Sequence, residues 1–79
     1  MTLTDLSDDE LVSRIASICL EGHRLTARLL VHLNEVEERR LHLRAACSSM
    51  FDFCMRKLGM SEGAAFRRIV GARLVRTFP

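Results

Sequence analysis

The sequence predicts an all-α fold: a long N-terminal amphipathic helix followed by a C-terminal helix-turn-helix-like hairpin. Three observations predict it. Apolar residues recur at spacings of three and four from Leu11 to Val36, the period of one helix face. Four glycines and a single proline, the last residue, leave little with which to build the turns of a β-fold. At 79 residues the chain is one domain. It has no room for an enzyme core beside a separate substrate domain, and a chain of this size buries only about 60% of its unfolded surface.

The first helix opens at Ser7-Asp8-Asp9-Glu10, an S-x-x-E capping box with Leu6 placed as a hydrophobic staple. The acids also complement the positive end of the helix. The stripe then runs Leu11, Ile15, Ile18, Gly22, Leu25, Leu29, Leu33, Val36. Its phase passes through Gly22, so the expectation is one helix over 8–43. Gly22 costs about 1 kcal/mol relative to Ala there and is the place for a kink. A true break at Glu21-Gly22, folding the chain back into a compact four-helix monomer, is the alternative.

Ala45-Ala46-Cys47-Ser48 connects to the hairpin. Ser48 or Ser49 caps a second helix, expected over 49–58, with Phe51, Cys54, Met55 and Leu58 on its apolar face. Gly59 ends it, where a left-handed backbone is cheap. Ser61 caps a third helix, expected over 62–75, through Ala64, Ala65, Phe66, Ile69, Val70, Ala72 and Leu74.

Leu58-Gly59-Met60-Ser61 resembles the turn of bacterial helix-turn-helix modules, and Ala65-Phe66-Arg67-Arg68-Ile69 the recognition helix that follows. Gly permits the reversal, Met60 plugs the angle between the helices, and Ser61 satisfies free N–H groups that, with Arg67 or Arg68, can meet phosphates or guanine edges. Two residues depart from the pattern. Met55 stands where such motifs prefer a small residue, and Glu62 places a carboxylate at the exposed start of the recognition helix.

Charge is divided along the chain. Residues 1–38 carry a net charge of −5 and residues 39–79 a net charge of +7, eight of whose nine bases are Arg. An Arg-rich half suits bidentate recognition of phosphate or carboxylate. The acidic half repels a polyanion, so duplex DNA would meet the C-terminal half only. The expected DNA-binding residues are Ser61, Arg67, Arg68, Arg73 and Arg76. The competing reading is an oligomerisation or protein-docking module with no nucleic-acid contact, its arginines meeting carboxylates or solvent.

The whole chain also resembles the N-terminal region of bacterial HNH-endonuclease-type proteins. The matching stretches are Leu6-Ser7-Asp8-Asp9-Glu10-Leu11, Leu29-Leu30-Val31-His32-Leu33-Asn34-Glu35-Val36, Cys47-Ser48-Ser49-Met50-Phe51-Asp52-Phe53-Cys54, the run from Leu58 to Ile69, and the closing run from Ala72 to Pro79. In that family an Arg-rich helical front end precedes a linker and then the nuclease module. The resemblance implies an accessory, DNA-associating front end without the nuclease, and not an enzyme.

Other constellations carry little chemistry. His23, Asn34 and His42 spell a His-Asn-His order, but they fall on one predicted helix and not on the ββα metal fold such a nuclease needs. Cys19 and His23 are an i, i+4 pair, yet Cys47 and Cys54 lack a usual zinc spacing and no C-x-x-C exists. Met50, Met55 and Met60 near three Phe read as core packing rather than a peptide groove. No Ser-His-Asp or Cys-His arrangement can be placed from the spacing, and no phosphate-binding Gly loop exists. The expectation is therefore no metal, no cofactor and no small-molecule substrate.

The N-terminus lacks the basic region of a signal peptide, and the apolar run Ile15–Leu20 is far too short to span a membrane. The cytoplasm is the expected compartment, with three cysteines that cannot all pair in one chain. A 36-residue helix over 8–43 would be about 54 Å long, more than the two later helices can cover. A homodimer follows as an expectation, its interface built on Leu11, Ile15, Ile18, Leu25 and Leu29.

Overall fold

A computed structural model describes residues 2–78; Pro79, which closes the last of the resembling stretches, lies outside the described residues. The described chain is all-α, with no strand among its elements. After a 3₁₀ turn at Leu3–Asp5, helix α1 runs Asp8–Glu38, and α2 is a single turn, Leu41–Arg44. The hairpin consists of α3, Met50–Arg56, and α4, Glu62–Thr77. Among the described residues no helix is long and apolar enough to cross a membrane.

The α1 start forms as its sequence requires. Ser7 Oγ accepts from the Glu10 amide at 3.2 Å, and Glu10 Oε1 accepts from the Ser7 amide at 3.3 Å. The helix continues unbroken through Gly22, which overturns the fold-back alternative.

Its far end corrects the expected boundary: α1 stops at Glu38, not Leu43. The physical reason lies in the stripe. One turn beyond Val36 come Arg39 and Arg40, so nothing apolar holds the helix line against the body. Arg40 instead adopts a left-handed backbone, φ 56°, and the chain turns into α2. That single turn then ends in a Schellman arrangement, with the Ala46 amide on the Leu43 carbonyl at 3.1 Å and the Cys47 amide on the His42 carbonyl at 2.9 Å. Ala46 takes the left-handed position at φ 62°. The turn buries His42 and Cys47.

Ser49 caps α3, its Oγ accepting from the Asp52 amide at 3.0 Å. This helix is shorter than expected, because Lys57 and Leu58 already belong to the turn. Gly59, at φ 69°, reverses the chain so that the Met60 amide reaches the Cys54 carbonyl at 3.1 Å. Ser61 caps α4 by accepting from the Ala64 amide at 3.2 Å, and α4 runs two residues past the expected end.

The hairpin packs on the C-terminal half of α1. Leu33, Met50, Cys54, Ala65 and Ala72 form the buried core, with Leu29, Leu30, Val36, Met55, Met60 and Ile69 against it. Met55 therefore fits as a half-buried core residue where a smaller one was expected. Helices α1 and α4 approach closely at Gly71, where an added methyl would lie 3.3 Å from Leu30 Cδ1.

The N-terminal half of α1 projects from this body. Every residue from 7 to 25 is exposed, and the molecule measures 50 × 27 × 18 Å. Its radius of gyration is 16.7 Å, against about 12 Å for a compact chain of this length. Its accessible surface is 6193 Å², about 1,300 Å² more than the roughly 4,900 Å² of a compact monomer of equal mass.

Candidate functional site

The hairpin reverses at Gly59 and caps α4 at Ser61, but it does not bring the five expected DNA-binding residues to one face. Ser61 is committed to the α4 cap. Arg67 is exposed, and its guanidinium folds back over the first turn of α4. Nη1 lies 3.3 Å from where a Gly63 Cβ would stand, so the missing side chain leaves it room. Arg68 is half-buried. Arg73 and Arg76 turn toward α1 instead: their guanidiniums lie 3.8 and 3.5 Å from the Glu37 carboxylate. Arg76 Nη2 also donates to the Asn34 carbonyl at 3.1 Å. These pairs are partly exposed, so each contributes at most about 1 kcal/mol, yet they occupy the groups in an intramolecular role.

The outward face of α4 carries a feature the sequence reading missed. Phe66, Val70 and Leu74, one turn apart, form an exposed apolar row, with Phe66 64% exposed. Beside it runs a groove of about 180 Å³ between Phe51, Met50 and the row, edged by Ser49 and Arg73. Ala65 and Ala72 are the buried residues, with Ile69 half-buried between them, and Phe66, Val70 and Leu74 fall on the neighbouring, outward face.

Local structure shifts two ionisable groups, Asp52 and Cys54. Asp52 accepts from the Ser48 amide at 2.9 Å and from Arg56 Nη1 at 3.2 Å. The backbone bond and then the Arg56 guanidinium hold its carboxyl below the usual carboxylate value. Burial pushes the Cys54 thiol up. His42 is buried beside a polar cleft of about 420 Å³ that Glu37, Arg40 and Arg76 also line, and its Nδ1 has no hydrogen-bond partner.

Structure also separates the constellations weighed for metal or nuclease chemistry. Cys19 and His23 are exposed on the projecting half of α1, while Cys47 and Cys54 are buried in the body. Asn34 Nδ2 donates to the Ala72 carbonyl at 2.9 Å, a packing role. Among the described residues no group of three His, Cys, Asp or Glu is placed to hold a metal ion.

Four of the five expected interface residues, Leu11, Ile15, Ile18 and Leu25, are bare. Leu29 is the exception: it is half-buried against the chain's own core, because α3 and α4 cover α1 from there onward. Ile18 is 66% exposed and Leu33 3%, although both belong to one stripe of one helix. No protein-family model, characterised protein or solved structure matches the chain, so the resemblance to HNH-endonuclease front ends rests on the stretches quoted above.

Proposed function

We propose that this chain is a non-enzymatic association module that works as a homodimer through the projecting half of α1. One observation carries the reading. The helix face that is core from Leu29 to Val36 is bare from Leu11 to Leu25. A helix of some twenty residues gains little stability in water without packing for its apolar face. A contiguous apolar stripe of this kind marks an interaction surface. Three free cysteines suit the reducing cytoplasm as the setting.

Sedimentation or light scattering tests the reading. The expected mass at tens of micromolar is twice the 9.0 kDa of the chain, and Ile18→Glu is expected to return it to one. A wild-type mass of 9.0 kDa at that concentration overturns the dimer.

A second reading, association with duplex DNA as the accessory front end of an HNH-type nuclease, is favoured by the basic end of the hairpin. Lys57, Arg67 and Arg68 stand there without an acidic partner among the described residues. In a mobility-shift assay the affinity should then fall steeply with salt. The double variant Arg67→Ala/Arg68→Ala should lower the log–log salt slope by about two. No shift at low salt leaves protein association alone.

A further inference from the structure

The dimer reading leaves open how the second copy lies, and the stripe itself carries that information. We infer that the partner runs antiparallel along α1, with Leu11 against the partner's Leu29, Ile15 against the partner's Leu25, and Ile18 against the partner's Gly22. The inference rests on the homodimer proposed above.

Four observations lead to this arrangement. From Leu11 to Leu29 the apolar spacings alternate 4, 3, 4, 3, 4, a heptad seam. The alternation fails at Leu29, where a second spacing of four follows and the helix enters its own core. The seam thus spans the bare segment and stops where intramolecular cover begins. Leu29, half-buried at the lip of the body, still offers one flank to the partner's Leu11.

Volume then selects the direction. In an antiparallel seam each Gly22 faces an Ile18, so a large side chain fills the space left by a missing one. In a parallel seam Gly22 meets the partner's Gly22 and leaves a void in every copy, which close-packed interfaces disfavour.

Charge selects the same direction. The tip of the chain, residues 2–10, holds Asp5, Asp8, Asp9 and Glu10 and no basic side chain. Antiparallel pairing sets Asp8, Asp9 and Glu10 within a turn of the partner's Arg28; Asp5 comes level with the partner's Glu35, a carboxylate that Arg39 already pairs within its own chain at 2.7 Å. A parallel pair would set the two acidic tips together and the two net-basic C-terminal halves together.

The available area is sufficient. The surplus of about 1,300 Å² over a compact monomer exceeds the roughly 800 Å² per partner that a standard stable interface buries.

The geometry has a consequence for spacing. The two-fold axis stands perpendicular to the paired helices, so surfaces of the two bodies that look along that axis face the same way. At 1.5 Å per residue, Leu33 and the partner's Leu33 are about 39 Å apart. That is close to one turn of B-DNA, about 34–36 Å, the separation of two half-sites.

Pulsed electron–electron distance measurement tests the inference, using the whole chain with Cys19→Ser as background and nitroxide labels on Glu10→Cys or, separately, Ser13→Cys. Both positions are exposed; Ser13→Cys should keep the wild-type helicity and dimer mass, and Glu10→Cys, which gives up one of the two capping-box bonds, should fray no more than the first turn of α1. Antiparallel pairing puts the two labels about 30 Å apart at residue 10 and about 21 Å apart at residue 13, shortening toward the centre of the seam. A short distance that does not change between the two sites, with a dimer mass, overturns the antiparallel arrangement and leaves the dimer standing. A monomer mass with no measurable coupling overturns both.

Discussion

Asn34 and Ala72 join the two long helices: the Asn34 side-chain amide donates to the Ala72 carbonyl at 2.9 Å, a carbonyl in the middle of α4. The bond sits at the close approach of α1 and α4, one residue from the Gly71–Leu30 contact. Asn34→Ala is therefore expected to lower stability by about 1 kcal/mol, the usual net worth of a partly buried hydrogen bond. Urea denaturation at a fixed protein concentration measures it. An unchanged midpoint would remove Asn34 from the packing account.

Both helix stops after α1 use non-glycine residues in the left-handed region, Arg40 at φ 56° and Ala46 at φ 62°. A Cβ costs roughly 1–2 kcal/mol there, partly offset by the greater freedom of Gly in the unfolded chain. Ala46→Gly is expected to raise stability by about 0.5–1 kcal/mol, read as a higher urea midpoint at unchanged m. At the natural glycine the sign reverses. Gly59→Ala, with nothing within 4 Å of the added methyl, should cost about 1 kcal/mol from backbone conformation alone.

Thiol chemistry should separate the three cysteines. Cys19 is exposed, whereas Cys47 and Cys54 are buried and burial raises the Cys54 pKa. An aromatic disulfide reagent at neutral pH should titrate one thiol rapidly in the native protein and all three in denaturant. Cys19→Ser should abolish the fast phase. Two or more fast thiols would mean that the body opens readily.

Asp52 predicts an acid limb in the stability profile. Its pKa is lowered in the folded protein by the Ser48 amide and by Arg56. Its stabilising effect is therefore present above the ordinary value of 3.8 and is lost as pH falls through the folded pKa. Asp52→Asn should make the variant less stable than wild type at neutral pH and narrow the difference in acid. Parallel thermal-unfolding curves across that range would exclude the linkage.

On α4 the exposed row predicts tolerance. Phe66→Ser removes a large side chain that is 64% exposed, so stability should change by no more than about 0.5 kcal/mol in the dimer or the monomer. A much larger loss in thermal unfolding would show that the row is covered in solution.

What was legible in the sequence was local. Ser7, Ser49 and Ser61 cap their helices because each side chain reaches an amide three residues on, a relation that needs no tertiary context. Gly59 reversed the chain for the same kind of reason. The end of α1 was not legible through any glycine or proline, because Arg40 and Ala46 take the left-handed positions. It was written only in the lapse of the stripe after Val36. The candidate site was less legible still. Arg73 and Arg76 look like free bases in the sequence, and only the packing of α4 on α1 places Glu37 beside them. Phe66, Val70 and Leu74 look like core, and only the tight α1–α4 contact at Gly71 assigns the interior to the two alanines.

The projecting half of α1 also makes the molecule an electric dipole. Its acidic tip and its Arg-rich body lie toward opposite ends of a 50 Å long axis. A polyanion approaching a single copy exerts a torque that turns the body forward and the tip away. Two copies laid head to tail cancel that moment, leaving a charge distribution positive at both ends. A paired molecule then has no preferred end, and it lies along an extended polyanion rather than standing on it.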